Sequence, residues 1–284
     1  MPGIDDRLTP CGRLIRQYDS DRYLTALFAS PDRREALFAL AAFNLEIAKT
    51  REVVTEPLLG QIRLQWWRDA LDEMFRGEVR RHEVMMPLAK AVERHRLDRR
   101  QFERLLVVRE FDLEDRPPAD FAALEAYAVE TSVPLVLLAY AVLATEPSSD
   151  GEGFANALGT ATALTGIARA VPFHARQRRL YLPADLMAEA DVAGADVFAL
   201  RPHDGLARVV ASVCEAAGRH LETARQIAGS LQRSATPLRL QAALTAGHLK
   251  VLRRAGYNVF APAVQRTRPL RIAGLLWRAL LGRS

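Results

Sequence analysis

Apolar residues recur at intervals of three and four along almost the whole chain, and the period-two alternation of a half-buried strand is missing. A chain patterned this way buries its apolar side chains by packing helix on helix, so the sequence predicts an all-α fold. Ser30-Pro31-Asp32 offers a cap, a first-turn proline and an acid at the positive end of a helix dipole, and Thr236-Pro237 repeats the signal. Glu56-Pro57, Arg116-Pro117-Pro118, residues 146–151 and Leu182-Pro183 break the runs between them and leave about ten helices. No connection is long or biased enough for an interdomain linker, and no fixed-period repeat is visible, so residues 1–284 read as one helical domain.

A chain of 284 residues buries enough surface to need no metal or disulfide staple. Cys11 and Cys214 have neither a CxxC partner nor a histidine at ligand spacing, which argues against structural zinc and for a reducing compartment. The longest run free of charged and strongly polar residues, 133–144, is short of a membrane span, and Asp5 and Asp6 precede any apolar stretch, so no signal peptide is expected. The reading is a cytoplasmic protein. Its charge is polarised: after Glu222 there is no Asp or Glu and there are 11 Arg or Lys, so residues 1–222 carry about −6 and the last 62 carry +11. Residues 266–284 add Leu270, Ile272, Leu275, Leu276, Trp277 and Leu280 among basic flanks, the pattern of a helix that lies on an anionic membrane surface or docks on the core. With no recognisable nucleic-acid module beside it, this basic region is not read as a nucleic-acid site.

Two helices differ from the rest. Between residues 36 and 48 the only polar side chains are Asn44 and Glu46, so that helix belongs at the centre. Residues 153–184 contain no acid and are rich in Gly and Ala, so this helix either packs closely or lines a cavity suited to a long hydrocarbon. Asn44 and Glu46 need buried partners, and Arg169 on the second helix is the expected one.

Four segments, Leu37-Phe-Ala-Leu-Ala-Ala-Phe-Asn-Leu-Glu-Ile-Ala, Arg63-Leu-Gln-Trp-Trp-Arg68, Leu164-Thr-Gly-Ile-Ala-Arg169 and Arg178-Arg-Leu-Tyr-Leu-Pro183, together resemble the squalene/phytoene synthase family over about residues 15 to 260. The resemblance implies an isoprenoid-synthase fold with two aspartate-rich motifs facing each other at the mouth of a central cavity. Such enzymes join two prenyl diphosphates head to head. Mg²⁺ ions bridge phosphate oxygens to carboxylates three or four residues apart on one helix face.

The family's first motif, approximately Cys-Arg-x-x-Asp-Asp-x-x-Asp, falls here on Asn44, Leu45, Glu46, Ile47, Ala48, Lys49, Thr50, Arg51 and Glu52. Alanine and lysine replace the two central aspartates; Glu52 remains, and Glu46 lies about 240° round the helix from it. The second motif, Asn-x-x-Arg-Asp-x-x-x-Asp, falls on residues 166–174. Gly166, Arg169, Ala170 and His174 stand at its named positions, and Pro172 is expected to kink the helix. The resemblance therefore implies no metal site, Mg²⁺ belonging only to the enzyme alternative. Lys49, Arg51, Arg169, His174, Arg176, Arg179 and Tyr181 form either a site that takes an anionic headgroup directly or a solvated basic rim.

This pattern of replacement resembles a non-catalytic branch of the family, whose members are similar to the mitochondrial complex I assembly factor 6. It implies a pseudoenzyme that assists maturation of respiratory NADH:quinone oxidoreductase, with complex I subunits or assembly intermediates as partners. The alternative is a head-to-head prenyl diphosphate transferase. The Arg-rich, Lys-poor composition suits a bacterial member, peripheral at the inner face of the cytoplasmic membrane, and an isoprenoid or lipid ligand is open to it. In the Trp66-Trp67 pair either both rings belong to the core or one does and Trp67, with Arg63 and Arg68, is the candidate contact patch.

Overall fold

The computed structural model describes residues 8–54, 56–114 and 116–265; the segment 266–284 lies outside them. Helices in chain order are α1 (Pro10–Tyr18), α2 (Ser20–Ala26), α3 (Pro31–Ala48), α4 (Thr50–Val53), α5 (Pro57–Phe75), α6 (Met85–His95) and α7 (Arg99–Val108). They continue as α8 (Phe121–Leu143), α9 (Ser149–Arg176), α10 (Ala184–Glu189), α11 (Gly194–Phe198), α12 (Asp204–Ile227), α13 (Thr236–Arg254) and α14 (Pro262–Gln265). No strand occurs among the described residues. The proline signals start helices where the spacing puts them, at Pro31, Pro57 and Pro237. Capping by side chains falls elsewhere: Ser30 makes no capping hydrogen bond, whereas Asp120 accepts from the Ala123 amide at 2.7 Å and Ser148 from the Gly151 amide at 3.1 Å. Neither Pro134 nor Pro172 interrupts its helix, so α9 runs unbroken past the expected kink.

The buried side chains form two clusters. One joins α9, α12 and α13; the other joins α1, α3, α5, α6 and α7. Helix α8 serves both, sending Val136 and Tyr140 into the first and Leu135, Leu138 and Val142 into the second. That double burial explains its composition. By length and apolarity α8 could cross a membrane, yet 61% of its most apolar window is buried within the protein. Helix α3 is central as expected, with Phe38, Leu40, Phe43 and Ile47 fully buried.

Helices α8 and α9 approach closely at Gly159, where an added Cβ would stand 2.8 Å from the Val133 Cα. At Gly166, two turns further along α9, an added Cβ meets nothing within 4 Å. Gly159→Ala is therefore expected to cost about 1–3 kcal/mol through forced separation of the two helices. Gly166→Ala is expected to gain up to about 1 kcal/mol from helix propensity alone. Urea denaturation of the two variants reads the contrast, and equal shifts would contradict it.

Candidate functional site

At the centre lies a cavity of about 360 Å³. Its walls are Asp21 and Arg22 of α2, Asn44 of α3, Arg109 just after α7, and Tyr127, Thr131 and Ser132 of α8. Helix α9 adds Thr162, Thr165, Gly166, Arg169, Ala170 and His174, and α13 adds Gln241, Thr245 and His248. Ala163, Ile167 and Leu244 stand among these polar groups, so the walls are mixed and not the apolar lining of the second of the two readings of this helix. The apolar recess beside it, lined by Leu37, Phe38, Leu40, Leu135 and Leu238, measures about 40 Å³, little more than one water's share of liquid volume. The physical reason is filling: the side chains of α3 and α8 occupy the space between the two central helices.

One charge network stands behind the Arg109 and Tyr127 side of the cavity. Asp112 sits in a 3-10 turn, Phe111–Leu113, directly after α7. Its carboxylate accepts from Tyr127 Oη at 2.6 Å, Tyr181 Oη at 3.0 Å and the Arg109 guanidinium at 3.1 Å. Arg109 and Asp112 are both buried, and the two tyrosine hydroxyls supply the extra hydrogen bonds that such a pair needs. Burial, with the Asp112 charge beside them, pushes both tyrosines above the ordinary phenol range. His174 stacks on Tyr181 with ring centroids 4.5 Å apart, and burial lowers its pKa to about 4. Sequence reasoning missed Asp112, Arg109 and Tyr127. The available signal was Arg109-x-x-Asp112, a charged pair at helical spacing bracketed by apolar residues.

The residues singled out from the sequence divide among different places. Gly166, Arg169, Ala170, His174 and Asn44 share the central cavity. Arg179 and Tyr181 line a separate depression of about 230 Å³ with Asp112, Glu114 and Arg116. Lys49 Nζ stands 3.1 Å over the Tyr18 ring, Arg51 donates to the Val54 carbonyl at 3.2 Å, and Arg176 is exposed on the last turn of α9. Ala48 is half-buried at the end of α3; Glu52 is exposed, its carboxyl raised by desolvation while Lys49 and Arg179 pull it down. The expected partnership with Arg169 is corrected as well: Glu46 pairs with Arg63 at 2.7 Å, because α5 lies alongside the end of α3, and Asn44 accepts from Arg109 at 3.5 Å. Among the described residues no group of three or more His, Cys, Asp or Glu is placed to hold a metal ion.

The contact patch also changes. Trp67 is 1% exposed and packs edge-on against Phe43, so it is core and not surface. Trp66 is the outer ring at 37%, with Arg80 over it, and continues an exposed apolar stripe of Leu58, Leu59 and Ile62 on α5. Arg63 is held by Glu46, and Arg68 pairs with Glu110.

Helices enclosing a central cavity in this order make the isoprenoid-synthase fold. The structure matches a dehydrosqualene synthase with a TM-score of 0.84 at 19% identity, over 96% of this chain and 94% of that one. It matches a squalene synthase from Alicyclobacillus acidocaldarius with a TM-score of 0.76 at 19% identity, over 87% and 93%. The squalene/phytoene synthase family model matches residues 15–272, and the chain belongs to that family. Among curated relatives, the complex I assembly factor 6 of Rattus norvegicus is 31% identical over 95% of this chain and 80% of its own length. Phytoene synthase 1 of Arabidopsis thaliana is 30% identical over 66% of this chain and 46% of its own.

Two outcomes follow from the network. Asp112→Leu strands the buried Arg109 charge and is expected to cost about 3–5 kcal/mol in urea denaturation, most of it recovered in the Arg109→Leu/Asp112→Leu double variant. His174 stays neutral in the native state to about pH 4, whereas the unfolded chain takes up its proton near 6.5. Stability is therefore lost as pH falls through that window. His174→Gln is expected to show a shallower loss between pH 6.5 and 4 than the wild type, and identical slopes would contradict the assignment.

Proposed function

We propose that this protein assists the assembly of respiratory complex I, the NADH:quinone oxidoreductase, and that it has given up prenyl transfer. The observation that carries the reading is its likeness, over nearly its whole length, to assembly factor 6 proteins, including that of Homo sapiens at 28% identity over 92% of this chain. The site's chemistry supports it. The donor set does not fit a Mg²⁺ cluster: Ala48 and Ala170 offer no ligand, and Lys49 is an ammonium where the family's motif has an aspartate. The Asp112 oxygens are already taken by Arg109, Tyr127 and Tyr181.

The proposed partners are subunits or subassemblies of complex I, and Trp66 with the α5 stripe is the contact offered to them. The proposed location is the inner face of the cytoplasmic membrane, with the basic, Leu- and Trp-bearing segment 266–284 on the anionic surface. Deleting the gene is expected to abolish NADH:quinone oxidoreductase activity and to leave subassemblies on native gels, with carotenoid and hopanoid profiles unchanged. The purified protein with farnesyl diphosphate and Mg²⁺ is expected to release no diphosphate. Normal complex I together with altered isoprenoids in the deletion strain would overturn the reading in favour of the transferase.

A further inference from the structure

The charge polarisation of the sequence has a counterpart in the fold that the assembly reading leaves unused. Helices α12 and α13 pack side by side, and a groove of about 900 Å³, open to solvent, runs between them. Arg219 and Arg225 of α12 stand on one wall, and Lys250, Arg253 and Arg254 of α13 on the other. All five are exposed. The last three fall at i, i+3 and i+4, so one face of α13 carries them together.

These cations lack the partners that arginines have elsewhere in the protein. Arg63, Arg80, Arg99 and Arg104 each have a carboxylate at 2.7 Å or less. Around the groove the one ion pair among the described residues is Arg225 with Glu222, at a looser 3.8 Å. The sequence gives the reason: α13 and everything after it contain no acid, so no carboxylate can stand three or four residues from Lys250, Arg253 or Arg254. Only Glu215 and Glu222 oppose the five cations. Like charges held on adjacent turns repel, and an anionic partner relieves that repulsion.

What the face lacks narrows the partner's class. The groove's leucines, Leu221 and Leu249, are buried, and every exposed large apolar side chain among the described residues lies outside α12 and α13. Protein interfaces centre on desolvated aromatic and apolar anchors. An anionic lipid surface attracts clustered Lys and Arg by charge alone. Nucleic acid offers the same charge, but the chain runs from α13 through α14, which packs against it, into residues 266–284. Leu270, Leu275, Trp277 and Leu280 of that segment suit an acyl layer and not a phosphate backbone.

We propose that the α12–α13 groove face is the surface that docks on an anionic phospholipid membrane, with Arg219, Lys250 and Arg253 among the headgroup phosphates. The proposal rests on the membrane location given above and not on the assembly role. The test is flotation of the full chain with phosphatidylglycerol/phosphatidylcholine vesicles, for the wild type and two triple variants. Arg219→Gln/Lys250→Gln/Arg253→Gln empties the groove of three cations; Arg76→Gln/Arg81→Gln/Lys90→Gln removes the same charge around α5 and α6. All six side chains are exposed, and circular dichroism is expected to show both variants folded. The groove variant is expected to lose at least about tenfold in vesicle binding. The other stays within about twofold of the wild type, since charges beyond a Debye length from the membrane are screened. In about 1 M NaCl, where that length is about 3 Å, wild type and groove variant are expected to bind alike. Equal losses in the two variants would reduce the effect to net charge and overturn the proposal. A groove variant that floats like the wild type overturns it too, while leaving the location to residues 266–284. A wild type that ignores the vesicles overturns both, whatever the deletion strain shows of complex I.

Discussion

The structure rests on one helix that has to be buried from two sides. The second half of α8 is apolar nearly all round, and a lone helix of that kind has no stable place in water. The fold answers by splitting its core, with α7 and α3 against one face and α9, itself backed by α12, against the other. Close packing on the second side requires the small residues at its contact with α9, and Gly151 beneath the Tyr140 ring is one of them. The first half of α8 differs: Tyr127, Thr131 and Ser132 face the cavity. A single helix thus sets the thickness of the core at one end and the polarity of the central space at the other.

That space is governed by compensation within the protein. A buried arginine is tolerable only beside a carboxylate whose remaining lone pairs are also occupied, and the tyrosines from α8 and from the turn before α10 provide this. The same geometry keeps the His174 ring neutral, because stacking on Tyr181 removes it from water while Arg179 opposes a second positive charge. The interior is therefore electrically quiet although charged side chains surround it.

Periodicity carried the helices and their order, because burying a helix leaves a mark every three or four residues. It also placed α3 and α9 at the centre. Side chains that meet across long sequence separations left weaker marks. The 100° step between Trp66 and Trp67 says that they occupy different faces, and only the packing of Phe43 decides which one is inside. Glu46 met Arg63, seventeen residues away on the next long helix, where sequence reasoning favoured Arg169. The polar character of the cavity was legible in principle: Thr162, Thr165, Gly166 and Arg169 lie on one face of α9, and Gln241, Thr245 and His248 on one face of α13. The Asp112 network was not, since it joins a short 3-10 turn to residues 15 and 69 positions further along.

One contact in the cavity wall joins the two ends of the chain. Asp21 Oδ2 and His248 Nε2 lie 2.6 Å apart across 227 positions of sequence. During synthesis the cavity lacks one of its walls until α13 has emerged, so the cluster of α1, α3, α5, α6 and α7 can condense before the cavity is complete. Closing so long a loop is entropically the slowest kind of step, and it is rewarded only once α2 and α13 both have their neighbours. Truncated copies that lack α13 would then carry the helices of the other cluster without the complete pocket.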